Sequence, residues 1–148
     1  MHFLVHVILP PECREPVSAA QVNRAVEKLL TPYYGGDGGS DDGWFDWYEL
    51  GGRFAGAIKP PRPLVAPPRK GLVALLFRPQ PPAHTAYASD VLQLWSDEAA
   101  PFVLVTPDGV AHGQDDWAKE PYAPWAVRFK ELLAQYSTLL VVAVDAHN

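Results

Sequence analysis

The chain has 148 residues, 48% of them apolar, with a formal net charge of −5 and a pI of about 5.4. That length and apolar share suit one domain spanning 1–148 with its own core and exclude a disordered chain, while the acidic balance disfavours nucleic acid and anionic membrane as partners. A lone Cys13 excludes an internal disulfide and a cysteine-built metal cluster, and neither a basic leader nor an apolar run of about 18–20 residues is seen, so the sequence predicts a cytoplasmic protein with no membrane partner.

Phe3–Leu9 reads as a β-strand, rich in Val, Ile, Leu and Phe and stopped by Pro10-Pro11. Alternation sends His2, Leu4, His6 and Ile8 to one face and Phe3, Val5, Val7 and Leu9 to the other. Ser18–Thr31 reads as a helix. Ser18 and Gln21 have the spacing of a capping box, Val17 and Val22 that of a hydrophobic staple, and Val22, Val26, Leu29 and Leu30 form the buried stripe. Gly35–Gly43 is a loop of Gly, Asp and Ser. Its Asp37, Asp41 and Asp42 lack the spacing of a calcium loop.

Trp44–Gly56 resumes order without a decisive periodicity. Lys59–Lys70 is a polyproline-like excursion, Leu72–Phe77 a strand, and Ser89–Trp95 leans helical. Lys59, Arg62, Arg69, Lys70 and Arg78 give this Pro-rich region a basic strip. Phe102–Thr106, Pro107-Asp108-Gly109 and Val110–His112 form a hairpin. Pro124–Tyr136 is a helix whose face carries Trp125, Phe129, Leu132, Leu133 and Tyr136. Leu139–Asp145 is so apolar that it should be a central strand covered on both faces. The order gives an α+β fold, a ferredoxin-like βαββαβ sheet with two helices and a long Gly/Pro-rich insertion over about 32–100. In that topology the first and last strands are antiparallel neighbours, which brings His2 and His6 towards Asp145 and His147.

The densest chemistry lies in Trp44-Phe45-Asp46-Trp47-Tyr48-Glu49-Leu50-Gly51-Gly52-Arg53-Phe54. The Gly51 and Gly52 amides and the Arg53 guanidinium could cradle a phosphate or carboxylate, with Asp46 nearby and Trp47 or Tyr48 stacking on a ring. The competing reading pairs Asp46 with Arg53 and uses the aromatics as filling. Asp145 and His147 share one side of the last strand and could act as an orienting carboxylate and an acid/base group, or with His6 as metal ligands. The plainer alternative is a solvated tail with a half-buried His6. The residues assign no metal or cofactor.

The aromatic block resembles the W-D-W-Y-x-x-G-G-R-W signature of an uncharacterised family of bacteriophage and actinobacterial proteins, with Phe54 where a Trp is common and Phe45 inserted before Asp46. The opening Met1-His2-Phe3-Leu4-Val5, the hairpin Phe102–Gly113 and the closing Val144-Asp145-Ala146-His147 are similar too. The resemblance implies a phage or mobile-element context in the cytoplasm of a bacterial host, and no activity. Two functions follow as expectations. The first is an accessory protein that binds a host macromolecule, a host protein involved in defence or transcription. The second is a small-ligand protein or hydrolase for a phosphate-bearing substrate, with Arg53 on the anion, His147 as acid/base and Asp145 as its partner.

Overall fold

The computed structural model describes residues 1–58, 64–68, 81–94, 100–113 and 122–148. The strand predicted at Leu72–Phe77, the basic strip and most of the Pro-rich excursion lie outside them. Among the described residues are six strands: β1 (His2–Ile8), β2 (Trp47–Leu50), β3 (Thr85–Tyr87), β4 (Val103–Val105), β5 (Ala111–Gly113) and β6 (Leu140–His147). Three α-helices accompany them: α1 (Ala19–Leu30), α2 (Ala88–Gln93) and α3 (Tyr122–Gln135).

The strands form one mixed sheet ordered β2-β6-β1-β4-β5, with β3 also on β6. The fold is therefore α+β, and β1 and β6 are antiparallel neighbours as the sequence implies. The rest of the order departs from the ferredoxin-like arrangement. There the second strand of the hairpin would lie beside β1; here the first, β4, pairs with it in parallel and β5 is outermost. The insertion also contributes to the sheet. β2 and β3 lie end to end along the far side of β6, opposite Val144–His147 and Leu140–Val142 respectively.

Both faces are covered, which explains why β6 is apolar at nearly every position. On one face Val22, Val26, Leu29 and Leu30 of α1 pack on Phe3, Val5 and Val7 of β1 and Val142 and Val144 of β6. On the other, Phe129, Leu132 and Leu133 of α3 and Val91 of α2 pack on Ile8, Leu104 and Val141. Helix α1 begins where its chemistry says it should: the Ser18 hydroxyl accepts the Gln21 backbone N–H and the Gln21 side chain accepts the Ser18 N–H, a reciprocal box. Helix α3 is tied to the chain entering β4 by the Trp125 indole N–H, which donates to the Pro101 carbonyl at 2.7 Å.

Tyr33, in the 3-10 turn Thr31–Tyr33 after α1, reaches the β4–β5 hairpin. Its hydroxyl donates to the Gly109 carbonyl and accepts the Ala111 N–H. Gly109, at φ 81°, supplies the left-handed residue that the hairpin turn needs. The base of the Gly-rich loop is pinned by the Gly35 N–H on the Phe45 carbonyl at 2.7 Å and the Ser40 N–H on the Tyr34 carbonyl at 2.7 Å.

Candidate functional site

The two ends of the sheet's central strand pair meet at one corner. In the β1–β6 register His2 faces His147 and Leu4 faces Asp145; in the β2–β6 register Trp47 faces His147 and Glu49 faces Asp145. Alternation places His2, Trp47, Asp145 and His147 on the same face. His6 is four residues further along and faces Ala143, so the three-ligand set of His6, Asp145 and His147 does not form. His6 is instead a core residue, its ring 5.6 Å from that of Phe129. Among the described residues no group of three or more His, Cys, Asp or Glu is placed to hold a metal.

Asp145 is almost fully buried, at 1% exposure. Two donors hold it: His2 Nδ1 lies 2.9 Å from Oδ1 and the Arg53 backbone N–H lies 2.9 Å from Oδ2. Burial pushes its pKa up, but the Arg53 amide, the His2 contact and the charges of His2 and Arg53 outweigh it and leave the carboxyl below its usual range. Local backbone geometry makes this possible. Gly51 and Gly52 take φ values of 74° and 47°, and the 3-10 turn Gly52–Phe54 folds over the carboxylate. A Cβ on Gly52 would stand 2.5 Å from Asp145 Oδ2, and one on Gly51 would collide with the His84 ring. Both positions therefore demand glycine.

The second histidine is held the same way. His147 Nδ1 lies 2.9 Å from Asp46 Oδ1, and the Asp46 backbone N–H donates to the His147 carbonyl at 2.9 Å. The His147 contact is the leading cause of a lowered Asp46 pKa. The His2 and His147 rings stand edge to face, 4.9 Å between centroids, and Trp47 closes one side with its ring 6.0 Å from that of His2. Trp47 is 47% exposed, and the two histidine side chains are 23% and 39% exposed. The corner is thus open to solvent above a buried carboxylate.

Of the residues singled out by sequence, Asp46, Trp47, Gly52, Arg53, Asp145 and His147 come together. Three details differ from expectation. The Gly-Gly-Arg turn does receive a carboxylate, but it is the protein's own Asp145 and the donor is the Arg53 amide; the exposed guanidinium adds only its field. Asp46 pairs with His147 rather than Arg53. Tyr48 points to the opposite face, where its ring packs 5.8 Å from Phe45 and burial raises its pKa. Gly51 likewise serves the sheet, its N–H donating to the Ala143 carbonyl at 2.8 Å. Trp44 fills space against Phe3, Tyr33 and Phe45.

Sequence reasoning brought His2 near Asp145 but gave it no role; the register that makes it the partner of both Asp145 and His147 is not encoded locally. His84 reads from sequence only as a loop residue without a recognisable metal spacing. It holds φ 55°, receives the Ala143 N–H on its carbonyl at 3.0 Å, and with Asn23, Glu49 and Leu50 lines an edge pocket of about 360 Å³. Neither Arg53 nor His147 lines that pocket. Cys13 is buried, and burial followed by Glu12 raises its pKa, the opposite of a reactive thiolate. No described helix is long and apolar enough to cross a membrane. Compared with protein-family models, curated proteins and solved structures, the chain matches none.

Proposed function

We propose that the protein binds a phosphate-bearing small ligand at the His2/His147 corner, which is equipped for acid–base cleavage of a phosphate ester. One observation carries the reading: two solvent-facing histidines stand side by side, each held through Nδ1 by its own carboxylate. A carboxylate on Nδ1 fixes ring orientation and stabilises the imidazolium, so that Nε2 can take or give a proton at a substrate oxygen. Two such rings offer a base and an acid for one transfer. The exposed Arg53 guanidinium supplies the positive charge that an approaching phosphate needs, and Trp47 offers a flat wall for a base or ring.

The test is a thermal-shift screen against nucleotides, simple phosphate esters and inorganic phosphate, followed by phosphate-release assays on any hit. A ligand at a hundred times its Kd stabilises a folded protein by about 2.7 kcal/mol, several degrees in Tm. Arg53→Ala and His147→Ala should each abolish the shift while leaving the unliganded melt close to wild type. A complete absence of shifts across the panel would sink this reading.

The exposed Trp47 favours a second reading, since aromatic anchors of this kind dominate protein interfaces. Here the chain is a phage- or mobile-element-type accessory protein in the cytoplasm of a bacterial host, binding a host protein of defence or transcription. In that case Trp47→Ala would abolish association with a host partner, and the nucleotide screen would be silent.

A further inference from the structure

We infer that the His2/His147 pair is a seat for a divalent transition-metal ion. The inference rests on the reading of this corner as a ligand site, but not on the ligand being a phosphate, and it gives both Nε2 atoms to the ion in place of the acid–base roles proposed above.

The first step concerns the proton on each ring. An ionised carboxylate can only accept, so a neutral imidazole paired with it at Nδ1 carries its hydrogen there and leaves the lone pair on Nε2. Asp145 imposes this on His2 and Asp46 on His147, both at 2.9 Å. The second step concerns spacing. Two imidazoles bound through nitrogen at about 2.0–2.1 Å to one tetrahedral ion place their ring centres about 5 Å apart. The two rings here stand 4.9 Å apart, on directly paired residues of adjacent strands.

The surroundings match as well. Metal-bound histidines characteristically donate their other N–H to a carboxylate, which fixes the ring and raises its basicity. Both histidines already have that partner, and Asp145 is itself immobilised by the Arg53 amide. The two carboxylates in contact with the rings, Asp46 and Asp145, place negative charge at the corner that a dication would offset. Imidazole nitrogens select copper, nickel and zinc over magnesium and calcium. With two protein ligands, the remaining positions are left for water or for an oxygen of the ligand.

The experiment titrates metal-stripped full-length protein with Zn²⁺, Ni²⁺, Cu²⁺ and Mg²⁺ by calorimetry at pH 7.5 in a non-coordinating buffer. The expected result is a single ion per chain, tightest for copper, with no heat from magnesium. His147→Ala and His2→Gln should each weaken binding by about tenfold or more, and Asp46→Asn should weaken it by about tenfold through the ring it orients. His112→Ala, on strand β5, should bind as wild type does. Far-UV circular dichroism checks that each variant is folded, and His147→Gln replaces the alanine variant if that one is not.

Binding that survives His147→Ala unchanged would overturn the inference, because the ion would then sit on the chain's amino terminus or on scattered histidines. Absence of binding by all three transition metals would overturn it too. If phosphate ligands bind the metal-stripped protein and no metal does, the inference falls and the proposed function stands.

Discussion

Replacing His6 with leucine is expected to stabilise the protein, and to do so more strongly in acid. His6 is 2% exposed, and neither ring nitrogen has a hydrogen-bond partner among the described residues. A buried polar group without a partner costs about 1–3 kcal/mol, and an apolar side chain of similar size removes that cost. The acid dependence follows from titration. Burial lowers the pKa from 6.5 to about 3, so below pH 6.5 the unfolded chain takes up a proton that the folded ring refuses. Stability from this group is intact above pH 6.5 and is lost progressively as pH falls towards 3. At pH 5.0 the loss amounts to about 2 kcal/mol, from a limiting slope of about 1.4 kcal/mol per pH unit. Urea unfolding of wild type and His6→Leu at pH 7.5 and 5.0 measures it, with stability taken from midpoint and slope. Other titrating groups cancel in the difference between the two proteins, so the gap should widen by about 2 kcal/mol in acid. A gap that is equal at the two pH values would refute the reasoning, since the ring would then be protonated in the fold or paired to a hidden acceptor.

Gly52→Ala combines a left-handed φ with a Cβ 2.5 Å from the Asp145 carboxylate, and should destabilise by about 2 kcal/mol or more; a melt within a degree of wild type would contradict the close packing of the turn. Asp145→Asn presents an amide N–H₂ to a site built from two donors and should cost about 1–3 kcal/mol at neutral pH. Because the Asp145 pKa is depressed in the fold, its ionic contribution is present above the unfolded carboxylate pKa of about 4 and lost as pH falls through the folded value; the wild-type advantage should therefore shrink below about pH 4. Tyr33→Phe leaves the Gly109 carbonyl and Ala111 N–H without their shared hydroxyl and should cost about 1–2 kcal/mol, with faster amide exchange at Ala111 as the local readout.

Much of the fold is written in short-range chemistry. The Ser18/Gln21 box sets the start of α1, Pro107-Asp108-Gly109 sets the β4–β5 turn, and the unbroken apolar run of β6 announces a strand with neighbours on both sides and cover on both faces. β2 and β3 could not be assigned from sequence because four and three residues are too few to establish alternation. Strand order was out of reach for a different reason: which strand of the hairpin lies beside β1 depends on how the long insertion crosses the sheet, and no local signal carries that.

The same division runs through the site. Gly51-Gly52-Arg53 is readable as a turn that offers backbone N–H groups to an anion, because only glycine tolerates that backbone and that closeness. The identity of the anion is not local: Asp145 lies 92 positions away, and the sheet register alone delivers it to the Arg53 amide. Once Asp145 fills the turn, the turn no longer provides a free phosphate cradle, and the chemistry moves outward to what Asp145 orients. That is His2 and, through the β1–β6 pair, His147 with its own Asp46. A motif whose residues look like first contacts for a ligand thus acts one layer below it, holding the carboxylate that holds the histidine.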